Sequence, residues 1–429
     1  MPLSQQNQSK SILSSLTCAG RLSVVISLLI SSLAQAGVTE RDEARRIHDR
    51  LTGIAPTNSV LTTMEGQILA GDAEAAAFEA MKNPAFYNVT LKNYAAPWTN
   101  EAQSVFVPLN DYTATVIGLI RDDIDFRQVL SGNIIYTGAG VTPSYSNANN
   151  DHYEALEQLG PVSGDLSNGA ILQQRVQSDV TGLPASATAG VMTTRAAAEA
   201  FFKDGTNRAM FRFTFMNHLC TDLEPLKDVS RVPDMVRQDV SRSPGGDSRI
   251  YMFSCVGCHA GMDGLGGAYA MYNFNTDTQQ MDYARTDAAA LADTSLNGFV
   301  AGGLSAKYHN NSDNFKPGFI ATDDKWVNYW RNGQNKLLGW SETPSDPGIV
   351  IDARGHASGN GAKSMGSELA DSNAFASCQV KKAFQTVCLR NSDDYSADRS
   401  IVDSITADFK GADNYQMKSV FAKVAAYCK

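Results

Sequence analysis

The sequence of 429 residues predicts a mainly α, multi-helical fold. Apolar side chains recur at three- and four-residue spacing in the N-terminal and C-terminal parts of the chain, which is the pattern of amphipathic helices. Residues that commonly cap helices precede several of these stretches. Between the two helical parts lies a glycine-rich region that contains a cysteine motif at residues 255–259. We therefore expect a module built on this motif, inserted between N- and C-terminal helical modules.

The N-terminal helical module is expected over residues 37–135. Thr39, Thr57, Asp72 and Asp111 are each placed to cap a helix, because a short polar side chain can accept the free backbone N–H groups of the first turn. Apolar residues at helical spacing follow each of them. The sequence thus predicts at least four helices in this module.

The rest of the chain divides at changes in composition. Residues 136–235 begin with a Gly, Ser, Asn and Pro stretch and predict a linker and a central helical region, in which Thr194 caps a helix. Residues 236–345 form the module around the cysteine motif, and residues 346–429 form the C-terminal helical module. Its predicted helices span 367–389, 398–409 and 415–427.

The cysteine motif reads Cys255-x-x-Cys258-His259 and is the attachment signature of c-type haem. Both thiols add to the haem vinyl groups, and the histidine becomes the proximal ligand of the iron. One helical turn places the two sulfurs and the imidazole on the same side. The glycines that follow, among them Gly261 and Gly264, are expected to let the backbone approach the haem plane.

Three alternatives to haem attachment compete for the same motif. A thioredoxin-like Cys-x-x-Cys would need a βαβ context, which the surrounding pattern does not show. A structural zinc site would need a second ligand pair at suitable spacing. A disulfide between residues three apart is strained. The sequence therefore favours one covalently attached haem c.

The N-terminal residues 1–36 have the features of a secretory signal peptide. They contain basic residues and no acid, then an apolar run over residues 22–33, and then Ala34-Gln35-Ala36, which predicts cleavage before Gly37. The apolar run is short for a membrane span, although an uncleaved anchor is the alternative. Because c-type haem is attached outside the bacterial inner membrane, we expect an exported protein in the periplasm or at the cell surface. No integral membrane span is expected after cleavage.

The formal net charge is −9, and this acidic balance argues against nucleic acid as a partner. The remaining cysteines after residue 36 are Cys220, Cys378, Cys388 and Cys428. In an oxidising compartment they could form two disulfides in any of three connectivities, or remain as buried thiols. The short sequence separation of Cys378 and Cys388 favours a bridge between them, which would leave Cys220–Cys428.

Four stretches of the chain resemble one family of exported single-haem proteins. They are 44–57 (ARRIHDRLTGIAPT), 190–195 (GVMTTR), 255–266 (CVGCHAGMDGLG) and 366–378 (GSELADSNAFASC). The chain is similar in these stretches to the uncharacterised planctomycete-type cytochrome c family, which usually has Pro where Gly264 stands. The resemblance implies a multi-helical exported protein with haem bound by Cys255, Cys258 and His259, and it implies little about a reaction.

Three functions for such a haem differ in the sixth iron ligand. Electron transfer between unknown redox donor and acceptor proteins needs a distal Met or His. The candidates far enough along the chain are Met281, Met365, His309 and His356. A haem enzyme of peroxidase or oxygenase type would instead need an open sixth position and a distal acid–base group. In a binding or assembly module the haem would be structural. We expect electron transfer rather than catalysis.

Overall fold

A computed structural model describes residues 39–203, 207–231, 235, 248–295, 297–308 and 319–429. The predicted mainly α fold is confirmed, since many helices are accompanied by a few short strands. The helices are α1 (39–52), α2 (Asn58–Leu69), α3 (Ala73–Ala80), α4 (Lys92–Ala95), α5 (Asp111–Arg121), α6 (Gln128–Ser131), α7 (Asp151–Gln158), α8 (Gly160–Ser163), α9 (Gln177–Thr181), α10 (Arg195–Phe201), α11 (Arg208–His218), α12 (Ser248–Ile250), α13 (Val256–Gly266), α14 (Ala288–Ala292), α15 (Gly361–Ala370), α16 (Asn373–Cys388), α17 (Ser396–Lys410) and α18 (Met417–Tyr427).

The strands form small antiparallel sheets. They are β1 (Ile134–Gly138), β2 (Leu172–Val176), β3 (Tyr272–Asn275), β4 (Gln280–Tyr283), β5 (Phe299–Val300), β6 (Leu304–Ser305), β7 (Lys325–Asn328), β8 (Val350–Ile351) and β9 (Ala357–Asn360). The strand pairs β1–β2, β3–β4 and β5–β6 stand alone, and the order β7-β9-β8 makes a three-stranded sheet.

Most of the predicted helix caps are confirmed. The side chains of Thr57, Asp72 and Thr194 accept backbone N–H groups at the starts of α2, α3 and α10. These bonds satisfy donors that the first helical turn leaves free. The sequence therefore located these helix starts correctly.

The prediction that Asp111 caps its own helix is wrong. Asn110 caps α5, with its side chain accepting the N–H of Thr113 at 3.0 Å. The buried Asp111 carboxylate instead accepts the N–H groups of Arg195 at 2.6 Å and Ala196 at 3.0 Å. Asp111 thus joins two helices, because the positive end of α10 points at it.

The predicted helix over 367–389 is in fact two helices. The first, α15, ends at Ala370, and Ser372 caps α16 by accepting the N–H of Phe375 at 3.1 Å. A serine in this position competes for the backbone hydrogen bonds and starts a new helix. The helices predicted over 398–409 and 415–427 correspond to α17 and α18.

One hydrophobic core extends through all four predicted modules, from Ala44 to Cys428. The N- and C-terminal modules pack directly on each other. Phe86 and Phe421 contact edge to face with ring centroids 5.2 Å apart, and α18 packs on α3. Because the core is shared, the boundaries predicted between these modules do not separate hydrophobic cores.

The favoured disulfide pairing is wrong, whereas the expectation of two disulfides is confirmed. Cys220 pairs with Cys378, and Cys388 pairs with Cys428. Cys378 and Cys388 both lie on α16, ten residues apart, which places them about 15 Å apart along the helix axis. A disulfide needs Cα atoms within about 7 Å, so these two cysteines cannot bond to each other.

Among the described residues, none of the helices combines the length and the apolar character that a membrane crossing needs. The predicted signal peptide, residues 1–36, lies outside the described residues.

Candidate functional site

The cysteine motif lies at the start of α13, which follows a π-helical turn at Tyr251–Cys255. Cys255, Cys258 and His259 therefore fall within about one helical turn. Both cysteines are unpaired and partly exposed. Their thiols are accessible for covalent modification, in contrast to the two disulfides elsewhere in the chain.

The surroundings of Cys258 do not suit a thioredoxin-type nucleophile. Burial raises the pKa of its thiol, and the positive charge of Lys227 opposes this effect only in part. Reactive cysteines have a lowered pKa, since the thiolate is the nucleophile. The motif also follows a helical turn rather than a strand.

His259 is almost buried, with 8 % of its surface exposed. Its Nδ1 atom lies 3.0 and 3.1 Å from the two carboxylate oxygens of Asp263, one helical turn further on. Its Nε2 atom lies 3.1 Å from a guanidinium nitrogen of Arg208. Since a guanidinium can only donate, Nε2 carries a lone pair and Nδ1 carries the proton that Asp263 accepts.

This tautomer is the one that a histidine needs to bind a metal through Nε2. Metal-binding histidines generally donate their other ring N–H to a carboxylate, a carbonyl or water. For Nε2 to bind iron, the guanidinium of Arg208, which now donates to this lone pair, must move away. The imidazole is thus oriented and of the correct tautomer before any metal binds.

Arg208 is positioned by its neighbour Asn207. This buried asparagine has a left-handed backbone (φ 55°), and its side-chain amide donates to the carbonyls of Tyr269 and Tyr272 at 3.0 Å each. These bonds fix the start of α11 beside α13. The chain can therefore hold Arg208 against His259 although 51 residues separate them.

Exposed apolar side chains surround the motif. Phe253 is 87 % exposed, and Val229, which is 72 % exposed, lies beside Gly257 of α13. Ile250 is also exposed. Two free thiols, an oriented imidazole and neighbouring apolar surface are together a suitable set of groups for a flat hydrophobic macrocycle such as haem.

Two glycines of α13 allow close packing against neighbouring parts of the chain. A Cβ atom on Gly261 would lie 2.0 Å from Nε1 of Trp330, and one on Gly264 would lie 2.7 Å from the carbonyl oxygen of Val327. These glycines let α13 pack closely against β7 and the turn that follows it. The expectation that they let the backbone approach the haem plane stays a prediction.

The structure places the four distal candidates in different surroundings. Met365 is fully buried in α15, and Met281 is on β4, where it lines a small cavity. His356 is partly exposed, with its ring centroid 5.0 Å from that of Tyr329, and Tyr329 lies beside Gly264 of α13. His309 lies outside the described residues. All four stay predictions, and His356 is connected to α13 through the side chain of Tyr329.

Sequence reasoning missed Asp263 and Arg208. Asp263 had a readable signal, because residues four apart share one face of a helix. Arg208 had none, since its contact with His259 depends on how α11 and α13 pack.

A cavity of about 840 Å³ lies beside α10, and none of the three motif residues lines it. Its charged lining residues include Glu101, Arg195, Glu199 and Lys203. Acidic and basic groups therefore both face it, and Arg195 is already paired with Glu199 at 3.0 Å.

Within the described part of the chain, no group of three or more His, Cys, Asp or Glu side chains is arranged to hold a metal ion. A haem iron takes four of its ligands from the porphyrin, so a haem site needs no such group. Comparison of the chain with protein-family models, curated proteins and solved structures gives no significant match. The resemblance to the planctomycete-type cytochrome c family stays a prediction from the motifs.

Proposed function

We propose that this chain is an exported c-type cytochrome with one haem, which transfers single electrons. Cys255 and Cys258 would hold the haem through thioether bonds, and His259 would bind the iron through Nε2. One observation carries the proposal. Of the six cysteines after residue 36, the two of the motif are the unpaired ones, and the lone pair of the adjacent histidine is on Nε2, where it accepts a hydrogen bond from Arg208. When bound, the haem supplies a one-electron couple, and redox donor and acceptor proteins are the expected partners.

The two disulfides support export. Such bonds form and persist in oxidising compartments and are rare in the reducing cytosol. They agree with the signal peptide predicted over residues 1–36. The bacterial periplasm or the cell surface is therefore the proposed location.

The residues of the chain contribute binding, orientation and exclusion of water. Asp263 holds the imidazole in one tautomer and one orientation. The low exposure of His259 keeps water from its ring. Both features favour a fixed ligand geometry, which lowers the structural change that accompanies gain or loss of an electron.

The test is the optical spectrum of the exported protein, isolated with its haem. A pyridine haemochrome spectrum of the c type is expected, because thioether bonds replace both vinyl groups. The double variant Cys255→Ser, Cys258→Ser should lose covalent haem, while the disulfide cysteines remain as a control. A b-type spectrum, or no haem in the unsubstituted protein, would contradict the proposal.

A haem enzyme with an open sixth coordination position is the second candidate. The hydrogen bond between His259 and the Asp263 carboxylate favours this enzyme candidate, since a strongly donating proximal ligand assists cleavage of an O–O bond. Addition of carbon monoxide to the reduced protein separates the two candidates. An unchanged spectrum indicates a six-coordinate iron and electron transfer, whereas rapid binding indicates an open position and favours the enzyme.

A further inference from the structure

Asp263 is a charged residue in direct contact with Nδ1 of His259, the candidate iron ligand. Both of its carboxylate oxygens lie within 3.1 Å of Nδ1 of His259, and its side chain is 3 % exposed. A hydrogen bond to an ionised acceptor is about twice as strong as one between neutral groups. The nearly complete burial of the pair reduces its screening by water.

We propose that Asp263 makes His259 a strong electron donor and thereby keeps the reduction potential of the haem low. This inference rests on the function proposed above. As the Nδ1–H bond to the carboxylate strengthens, the imidazole gains anionic character and Nε2 donates more electron density. Ferric iron carries one more positive charge than ferrous iron, so a stronger donor stabilises the ferric state.

A peptide carbonyl in place of Asp263 would give the same tautomer without the charge. The tautomer alone therefore needs no carboxylate at this position. Hydrogen bonding to the axial ligand is one of the means by which a protein sets a haem potential. Asp263 is thus a positioning residue that also controls the redox equilibrium through His259.

The decisive experiment is a redox titration of the haem-loaded protein and its Asp263→Asn variant. Asparagine keeps the size of the side chain and can still accept the Nδ1 proton through its amide oxygen, but it lacks the charge. We expect the equilibrium between oxidised and reduced haem to shift about tenfold toward the reduced form, which is about 59 mV for one electron.

The matched control is Asp222→Asn. Asp222 contributes to the electrostatic surroundings of Cys258 and pairs with Arg212 at 2.7 Å. Its substitution removes the same charge near the motif without removing a contact to His259. A smaller shift is expected for this variant, and equal shifts in both variants would overturn the inference.

Two further measurements keep the result interpretable. If Asp263→Asn does not fold, Asp263→Glu retains the charge on a longer side chain and should raise the potential by less. Nitrogen-15 NMR of the full chain without haem should show a proton on Nδ1 of His259, and a proton on Nε2 instead would overturn the inference.

Absence of covalent haem in the unsubstituted protein overturns the function and the inference together. A normal haem with an unchanged potential in Asp263→Asn overturns only the inference.

Discussion

At the scale of single residues, the pair Tyr112–His218 shows how burial fixes a protonation state. The hydroxyl oxygen of Tyr112 lies 2.7 Å from Nε2 of His218, and both side chains are buried. Burial lowers the pKa of His218 well below 6.5, and the positive charge of Lys382 lowers it further. The imidazole is therefore neutral in the folded protein, and its Nε2 atom shares a hydrogen bond with the Tyr112 hydroxyl.

The low pKa of His218 predicts that the fold loses stability in mild acid. Above pH 6.5 the histidine is neutral in the folded and the unfolded chain and contributes nothing. Below pH 6.5 His218 binds a proton in the unfolded chain but not in the folded chain. The free energy of unfolding therefore falls by up to about 1.4 kcal/mol per pH unit. Urea unfolding between pH 7.5 and 5.5 should show this slope reduced in His218→Gln.

Tyr112→Phe serves as the control for this pH prediction. It removes the hydroxyl but keeps the buried imidazole, so it should lower stability at every pH and leave the slope in place. His48 and Lys382 also have pKa values lowered by burial, that of Lys382 to about 7, and both side chains are present in all three proteins. An equal slope in His218→Gln and the unsubstituted protein would contradict the assignment.

At the scale of elements, the packing of α13 against the turn that follows β7 depends on glycine. Gly261→Ala places a methyl group 2.0 Å from Nε1 of Trp330, which is fully buried and packed on Phe211 and Phe215. The indole has no space to move, and overpacking of this kind costs about 1–3 kcal/mol. Urea unfolding of the variant should show this loss, together with weaker haem attachment if α13 shifts.

The control for Gly261 is Gly66 in α2, where an added Cβ would meet nothing within 4 Å. Gly66→Ala should leave stability unchanged or raise it by up to about 1 kcal/mol, because alanine favours the helix and restricts the unfolded chain. A similar stability for both alanine variants would show that α13 does not need the close approach.

Local signals in the sequence predicted the elements well, and contacts between elements were predicted poorly. The caps Thr57, Asp72 and Thr194 were identified because a cap is decided within about four residues. The Cys255-x-x-Cys258-His259 motif is likewise a local pattern, and its assignment to haem stays a prediction. The partners of Asp111 lie more than 80 residues away. Such contacts arise from packing, which the spacing of residues along the chain does not encode.

At the scale of the whole molecule, the two disulfides join parts of the chain that also share the core. Cys220 follows α11 and pairs with Cys378 in α16, so this bond ties the central region to the C-terminal module. Cys388 pairs with Cys428 beyond the last helix. Arg127 and Asp371, 3.0 Å apart, form a further link between the N- and C-terminal modules. The helix α13 contacts α11, which leads directly to the Cys220–Cys378 disulfide.

The difference in loop length predicts which of the two disulfides contributes more to the free energy of unfolding. The sequence separations are 158 for Cys220–Cys378 and 40 for Cys388–Cys428. Loss of chain entropy in the unfolded state then stabilises the fold by about 5 and about 4 kcal/mol, respectively. Double serine variants of each pair should lower the free energy of unfolding in that order. Both cysteines must be replaced, because a single free thiol could pair with Cys255 or Cys258 and block haem attachment. A larger loss from the shorter loop would mean that native packing, rather than loop entropy, determines the contribution of these bonds.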